Sequence, residues 1–322
     1  MQIIRIKSTV RSMQRSYLYV VGLIVVILGL GVSIFLSFPA KELSTSRVVI
    51  ATTIFPLTDI VAQLGGNQVD VVQLIKPGAS EHSYELSASQ VARASQAEVF
   101  FVIGHGLDDR YTAPWKGSKK IVVVDNGISL REFSGDDHKD EEHEEGEDHH
   151  DEDGLDPHYW LSIENSKQIT QTIASELSQI NGINADEVEK SKNEYIEQLD
   201  KAQEQLMVIA SNVTNKNFIS MHNAWQYFAQ EFGFNLVGTY EPQEGREPSI
   251  ADIARLKEII SEFGITAFYA EPQKSSSSAI SFIERDLGLS IRELDPVGGI
   301  SPDDSYIKLL TRNVEAIAQG GK

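Results

Sequence analysis

Val48-Val49-Ile50-Ala51-Thr52-Thr53 is an uncharged, largely β-branched run, and its sequel decides the fold. Residues 55–64 read as a helix closed by Gly65-Gly66, because glycine readily takes the left-handed conformation that ends a helix. Residues 69–75 form a second apolar run, stopped by Lys76-Pro77-Gly78. Beyond it, 87–95 reads as a short helix, while 98–103 and 120–125 are continuous apolar runs of the kind buried on both faces of a parallel sheet. Strand and helix in alternation predict an α/β architecture.

The pattern recurs downstream. Strands are expected at 218–221, 235–240, 266–270 and 290–294, and helices at 224–232, 250–263, 277–287 and 303–318. Ser249 is placed to cap the 250–263 helix, since its hydroxyl can accept an amide hydrogen bond that the first turn leaves open. Between the halves, 162–180 reads as helical and 185–213 as a longer helix, with Val188, Tyr195, Leu199, Leu206 and Ile209 as its apolar positions. The expected organisation is a terminal segment 1–46, an N-terminal lobe 47–184, a rigid linking helix 185–213 and a C-terminal lobe 214–322.

Composition narrows the function. A chain of 322 residues, 41% hydrophobic, can bury two packed cores. Its net charge of -19 is uneven, for residues 136–156 hold 13 Asp and Glu against Lys139 alone. No basic stripe appears, which argues against nucleic acid as a partner. The absence of cysteine excludes disulfides, thiolate metal sites, cysteine nucleophiles and lipid attachment at a terminal cysteine. Any transition metal must be held by imidazole and carboxylate.

At the amino terminus Arg5, Lys7, Arg11 and Arg15 precede an apolar run, 17–38. At about 1.5 Å per helical residue that run spans the ~30 Å hydrocarbon core of a bilayer. Positive charge ahead of it retains that end in the cytoplasm and exports the remainder. It is longer than a usual signal-peptide core and no small-x-small cleavage site follows, so it reads as an uncleaved anchor rather than a removed signal.

The histidines fall into two groups. His138, His143, His149 and His150 crowd into the acidic loop 136–156, which is too poor in apolar residues to build a core and is expected to collect metal weakly as an auxiliary site. His82, His105, His158 and His222 stand singly near the ends of apolar runs. His82 follows Pro77-Gly78, His158 follows Asp156-Pro157, His222 ends the 218–221 strand, and Asp295 ends the 290–294 strand. In α/β sheets ligands collect beyond the carboxyl ends of strands. Three neutral imidazoles and a carboxylate suit tetrahedral Zn2+. A lone histidine at a strand end is more often a hydrogen-bonded structural residue, so spacing alone leaves each one open.

The local motifs go further. Gly78-Ala79-Ser80-Glu81-His82-Ser83-Tyr84, Asp156-Pro157-His158-Tyr159-Trp160-Leu161, His222-Asn223-Ala224-Trp225-Gln226-Tyr227-Phe228 and Leu294-Asp295-Pro296-Val297-Gly298-Gly299 occur in that order. Together with Glu247-Pro248-Ser249 and Glu271-Pro272-Gln273, they resemble the zinc and manganese solute-binding proteins of bacterial ABC importers. The resemblance implies two α/β lobes joined by a long backbone helix, with one metal ion in the cleft. It implies His82, His158 and His222 as ligands, Asp295 completing the shell and Glu81 as the alternative fourth ligand. Imidazole at position 222, where manganese members usually carry a harder carboxylate, favours zinc over manganese. The chain departs from the pattern at Ser162-Ile163, where relatives commonly have Asp-Pro, and in its 17–38 run.

The expected function is capture of Zn2+ outside the cytoplasmic membrane by a monomer and its delivery to an ABC permease, with the ion as cargo and no enzymatic activity. Imidazoles coordinate in their neutral form, so affinity is expected to fall below about pH 6.5. A surface adhesin of the same fold and a manganese importer component are the alternatives. An extracytoplasmic zinc hydrolase, with Glu81 or Asp295 activating a water, is disfavoured because the chain has no His-Glu-x-x-His helix.

Overall fold

A computed structural model describes residues 47–81, 83–132, 154–241, 249–274 and 278–321. His82, the loop histidines 138, 143, 149 and 150, and the 17–38 run lie outside the described residues. Among the described residues no helix is long and apolar enough to cross a membrane.

The described residues make two four-stranded sheets, each wholly parallel. The first contains β1 (Val48–Thr52), β2 (Val69–Gln73), β3 (Val99–Val102) and β4 (Lys120–Val123) in the order β2-β1-β3-β4. Its connections include α1 (Phe55–Gly65) and α2 (Ala88–Ala94). After α3 (Ile163–Leu177) and α4 (Ala185–Ser211) comes the second sheet, built from β5 (Asn217–Ser220), β6 (Asn235–Thr239), β7 (Ala267–Ala270) and β8 (Ser290–Glu293). Its order, β6-β5-β7-β8, repeats that of the first. Helices α5 (Gln226–Phe232), α6 (Ile250–Phe263) and α7 (Ser278–Asp286) connect its strands, and α8 (Tyr306–Gly320) closes the chain.

Composition explains which strands are central. β3 (VFFV) and β7 (AFYA) are buried along their whole length, whereas the edge strands β4 (KIVV) and β8 (SIRE) are exposed at both ends. Strands covered on both faces must be apolar throughout, while edge strands tolerate Lys, Arg and Glu. In each sheet the chain order reverses between the two central strands, and such switch points leave a crevice at the strands' carboxyl ends.

α4 is 27 residues, roughly 40 Å at about 1.5 Å per residue. Asn184 caps it by accepting the amides of Asp186 and Glu187. Its buried stripe is Val188, Tyr195, Leu199, Ala202, Leu206 and Ala210, and it packs against α1 and α3 from one half of the chain and α8 from the other. Ala202 and Ala210 replace the expected Ile209, because close helix approach selects small residues on the inner face and leaves Ile209 at its margin.

The halves are stitched directly. Asp59 on α1 accepts the amide of Tyr306, the first residue of α8, at 3.0 Å. The buried Tyr306 hydroxyl donates to the Trp160 carbonyl at 2.5 Å, and Trp160 Nε1 donates to the Pro296 carbonyl at 2.8 Å. Gly299 has φ +79°, and a Cβ there would sit 2.7 Å from the Phe55 ring, so only glycine lets this loop lie against α1.

Candidate metal centre

His222 leaves the carboxyl end of β5 in a tight turn: Ser220 Oγ donates to its carbonyl at 2.8 Å and the Ala224 amide does so at 3.1 Å. That turn delays the following helix to Gln226, two residues beyond the expected start at Ala224. His158 opens a short 3-10 turn, His158–Leu161, fully buried and followed by Ser162, whose hydroxyl caps α3 through the Asn165 amide. Glu81 lies in the segment after β2, where the Tyr111 hydroxyl donates to its carbonyl at 3.0 Å.

These three residues converge. Glu81, His158 and His222 each offer a ligand atom, all within 4.8 Å of one another, and the side chains are nearly inaccessible at 1%, 1% and 5% exposure. The imidazole centroids of His158 and His222 are 5.6 Å apart and their planes cross at 60°. Bonds of about 2.0–2.2 Å in a tetrahedral shell put donors roughly 3.4 Å from each other. Gathering this trio onto one ion therefore asks for side-chain adjustment and no backbone rearrangement.

Each imidazole is oriented by a carboxylate. His158 Nδ1 lies 2.8 Å from Asp156 Oδ1, which also accepts the His158 amide at 2.9 Å. His222 Nδ1 lies 2.6 Å from Glu271 Oε1, at the carboxyl end of β7. A carboxylate on Nδ1 holds the proton there and presents the Nε2 lone pair, the tautomer a divalent ion requires. Sequence reading singled out neither Asp156 nor Glu271 for this role. An acid two residues ahead of His158 was a visible signal, whereas the pairing of residues 222 and 271 spans two strands and only the sheet order reveals it.

Asp295 is buried but is not one of the trio. Its Oδ1 accepts the amides of Val297 at 3.0 Å and Gly298 at 2.8 Å, and its backbone is held on both sides by Asn313. Burial raises its carboxyl above the ordinary aspartate range against those two amide bonds. His105 pairs with Asp125 at 2.9 Å beyond the carboxyl ends of β3 and β4, its ring 6.2 Å from that of Tyr159, and is held in the left-handed region at φ 55° between Gly104 and Gly106.

Beneath the site Asp108 ties β1 to β3. It accepts Thr53 Oγ1 at 2.7 Å and the Ile103 and Gly104 amides at 2.6 and 2.8 Å. The Tyr159 hydroxyl, adjacent to His158, donates to the Ile103 carbonyl at 2.8 Å. The turn that carries His158 is thus tied to the end of a central strand of the first sheet.

Two parallel α/β lobes carry a buried His-His-Glu cluster whose donor set suits a divalent metal ion. The chain belongs to the family described as "ZnuA: Zinc-uptake complex component A periplasmic", whose model matches residues 50–320. It is 26% identical over 294 residues to the zinc-binding protein AdcA of Streptococcus pyogenes, covering 86% of this chain and 57% of that one. The chain thus spans little more than half the length of that relative. It is also 26% identical over 285 residues to the high-affinity zinc uptake system protein ZnuA of Bacillus subtilis, covering 84% of this chain and 86% of the relative. A crystal structure of ZnuA superimposes with a TM-score of 0.73 at 25% identity, covering 86% of this chain and 100% of that one.

Proposed function

We propose that this protein captures Zn2+ outside the cytoplasmic membrane and hands it to an ABC permease for uptake. The observation that carries the reading is the convergence of Glu81, His158 and His222 in a buried site with a carboxylate behind each imidazole. His82, one residue beyond Glu81, supplies the third imidazole, and Asp295 or Glu81 the carboxylate. A shell filled by four protein groups leaves no position for a reactive water, so the ion is cargo and the site is not catalytic.

The donor set also selects the metal. Imidazole-rich sites suit Zn2+, whereas Mn2+ favours carboxylate and water oxygens. The names of the relatives agree with that choice. The proposed organisation is a membrane-attached segment 1–46, lobes 47–184 and 214–322, and helix 185–213 between them, acting as a monomer. The histidines of loop 136–156 would serve as a weaker auxiliary store.

Calorimetric titration of the purified full chain with Zn2+ and with Mn2+ tests the proposal. One tight zinc site, with manganese weaker by orders of magnitude, is the expected result. Equal affinities for the two ions would overturn the assignment.

A further inference from the structure

His158 and His222 belong to opposite lobes, so their separation is set by whatever fixes β5 and its sequel against the 3-10 turn of the first lobe. We infer that Tyr227 and Glu231 form a clamp that sets this separation and thereby governs how long the site retains its ion. The inference rests on the metal reading of the site and deepens it.

The two residues are four apart on α5, one helical turn, and so project from the same face. Tyr227 is buried, and its hydroxyl donates to the Asp156 carbonyl at 3.2 Å while accepting the Arg131 amide at 2.8 Å. Glu231 accepts the Ser162 hydroxyl and, at 3.3 Å, the Glu164 amide. Residues 156 and 162 flank His158, so a single helix of the second lobe grips the ligand-bearing turn of the first at both ends. The Tyr227 contact falls on Asp156, whose carboxylate orients His158. The Glu231 carboxylate sits over the first turn of α3, where the helix dipole favours an anion.

The rest of α5 is anchored in its own lobe. Phe228 and Phe232 pack on Phe234, and Phe228 also meets Trp225 edge-on at 5.5 Å, while Phe218 on β5 meets Phe234 edge-on. β5 is the strand that ends at His222. Glu231 is further bonded to Gln203 on the linking helix at 2.8 Å. The helix is therefore a rigid spacer whose one side is fixed to the origin of His222 and whose other side holds the surroundings of His158. Neither Tyr227 nor Glu231 touches the ion; both act through the histidines as positioning residues. Without them the ion itself must order the two imidazoles, and that ordering is subtracted from binding.

The test compares Tyr227→Phe, Glu231→Ala, Glu231→Gln and the double variant Y227F/E231A in the full chain. Zinc release is followed by stopped-flow chelator competition and ligand geometry by the visible spectrum of the Co2+ form. The double variant should release zinc roughly tenfold faster or more, the scale on which partners behind metal ligands act, and its cobalt bands should lose the intensity of a tetrahedral site. Glu231→Gln, which keeps an acceptor oxygen, should lie closer to wild type than Glu231→Ala. Leu256→Ala, in a separate core, controls for general loosening: it should lower the melting temperature of the metal-free protein and leave release rate and spectrum unchanged. A double variant with wild-type release and spectrum would overturn the clamp while leaving the zinc site standing. So would a Leu256→Ala variant that sheds zinc as fast as the double variant. A wild-type chain that takes up no zinc would instead defeat the metal reading, and the clamp with it.

Discussion

The two lobes share a strand order but not a manner of burial. The first sheet, the linking helix, α8 and the inner face of the second sheet share one continuous core that runs from Ile50 to Ile317 and includes Trp160, Trp225, Phe228 and Tyr306. The outer face of the second sheet has its own smaller core of Ile219, Met221, Leu256, Phe268, Ile283 and their neighbours beneath α6 and α7. Helix α6 buries only Leu256, and Ile250 at its start is 91% exposed. The difference teaches where rigidity is concentrated. The aromatic side chains around the imidazoles, Trp160, Trp225 and Phe228, lie in the continuous core, while the outer layer reaches the site through Met221 and Ala270, which precede His222 and Glu271.

Substitutions can break or sharpen this contrast. The largest effect is expected at the site itself, where His222→Ala should weaken zinc binding by on the order of a thousandfold, about 4 kcal/mol, as read by chelator competition. Next comes the continuous core: Phe228→Ala should cost about 3 kcal/mol or more of unfolding free energy in urea and should also speed zinc release. A smaller cost there, or unchanged release, would mean that the two cores are equivalent.

Asp108 supplies a pH signature of the inner region. Burial, outweighing its hydrogen bonds to Thr53, Ile103 and Gly104, pushes its carboxyl up to about 6. The folded protein thus keeps this proton to higher pH than the unfolded chain, whose aspartates titrate near about 3.9. Stability contributed by the protonated form is complete below about pH 4 and is lost as the pH rises through about 6. Relative to Asp108→Asn, the wild type should therefore lose roughly 3 kcal/mol between pH 4 and 7, measured by urea unfolding at several pH values. A constant difference would contradict the assignment.

In the outer core Leu256→Ala should cost about 2 kcal/mol, the low end for such truncations, because a thinly covered layer can settle into the space. Zinc affinity should not change. The smallest effect is expected for Ser249→Ala, which removes the hydroxyl that accepts the Asp252 amide at 3.2 Å and should cost about 1 kcal/mol. Thermal unfolding with and without zinc separates both of these from the inner-core variants.

How much of this was readable beforehand follows the same division. The strands were visible because central parallel strands must be apolar throughout, and the long helix and the Ser249 cap were visible because their signals are local. His158, His222 and Glu81 stood out through their surrounding motifs. The 3-10 turn at His158–Leu161 was not foreseen, since four residues carry no period to detect. The His222–Glu271 pair was hidden because contact between residues 49 apart depends on β5 lying beside β7. Likewise, Ile250 opens a helix that sequence reads correctly, yet nothing in the spacing says how little of that helix is covered.

The bond between Asp59 and Tyr306 joins the first helix of the described fold to its last across 247 positions. A chain ending before α8 would take the Tyr306 hydroxyl from the Trp160 carbonyl and the Tyr306 amide from Asp59, and would strip α1 and α4 of one of the helices they pack against. The turn at His158–Leu161 thus draws part of its support from the last helix of the described fold, so the two halves acquire their final form together rather than in succession.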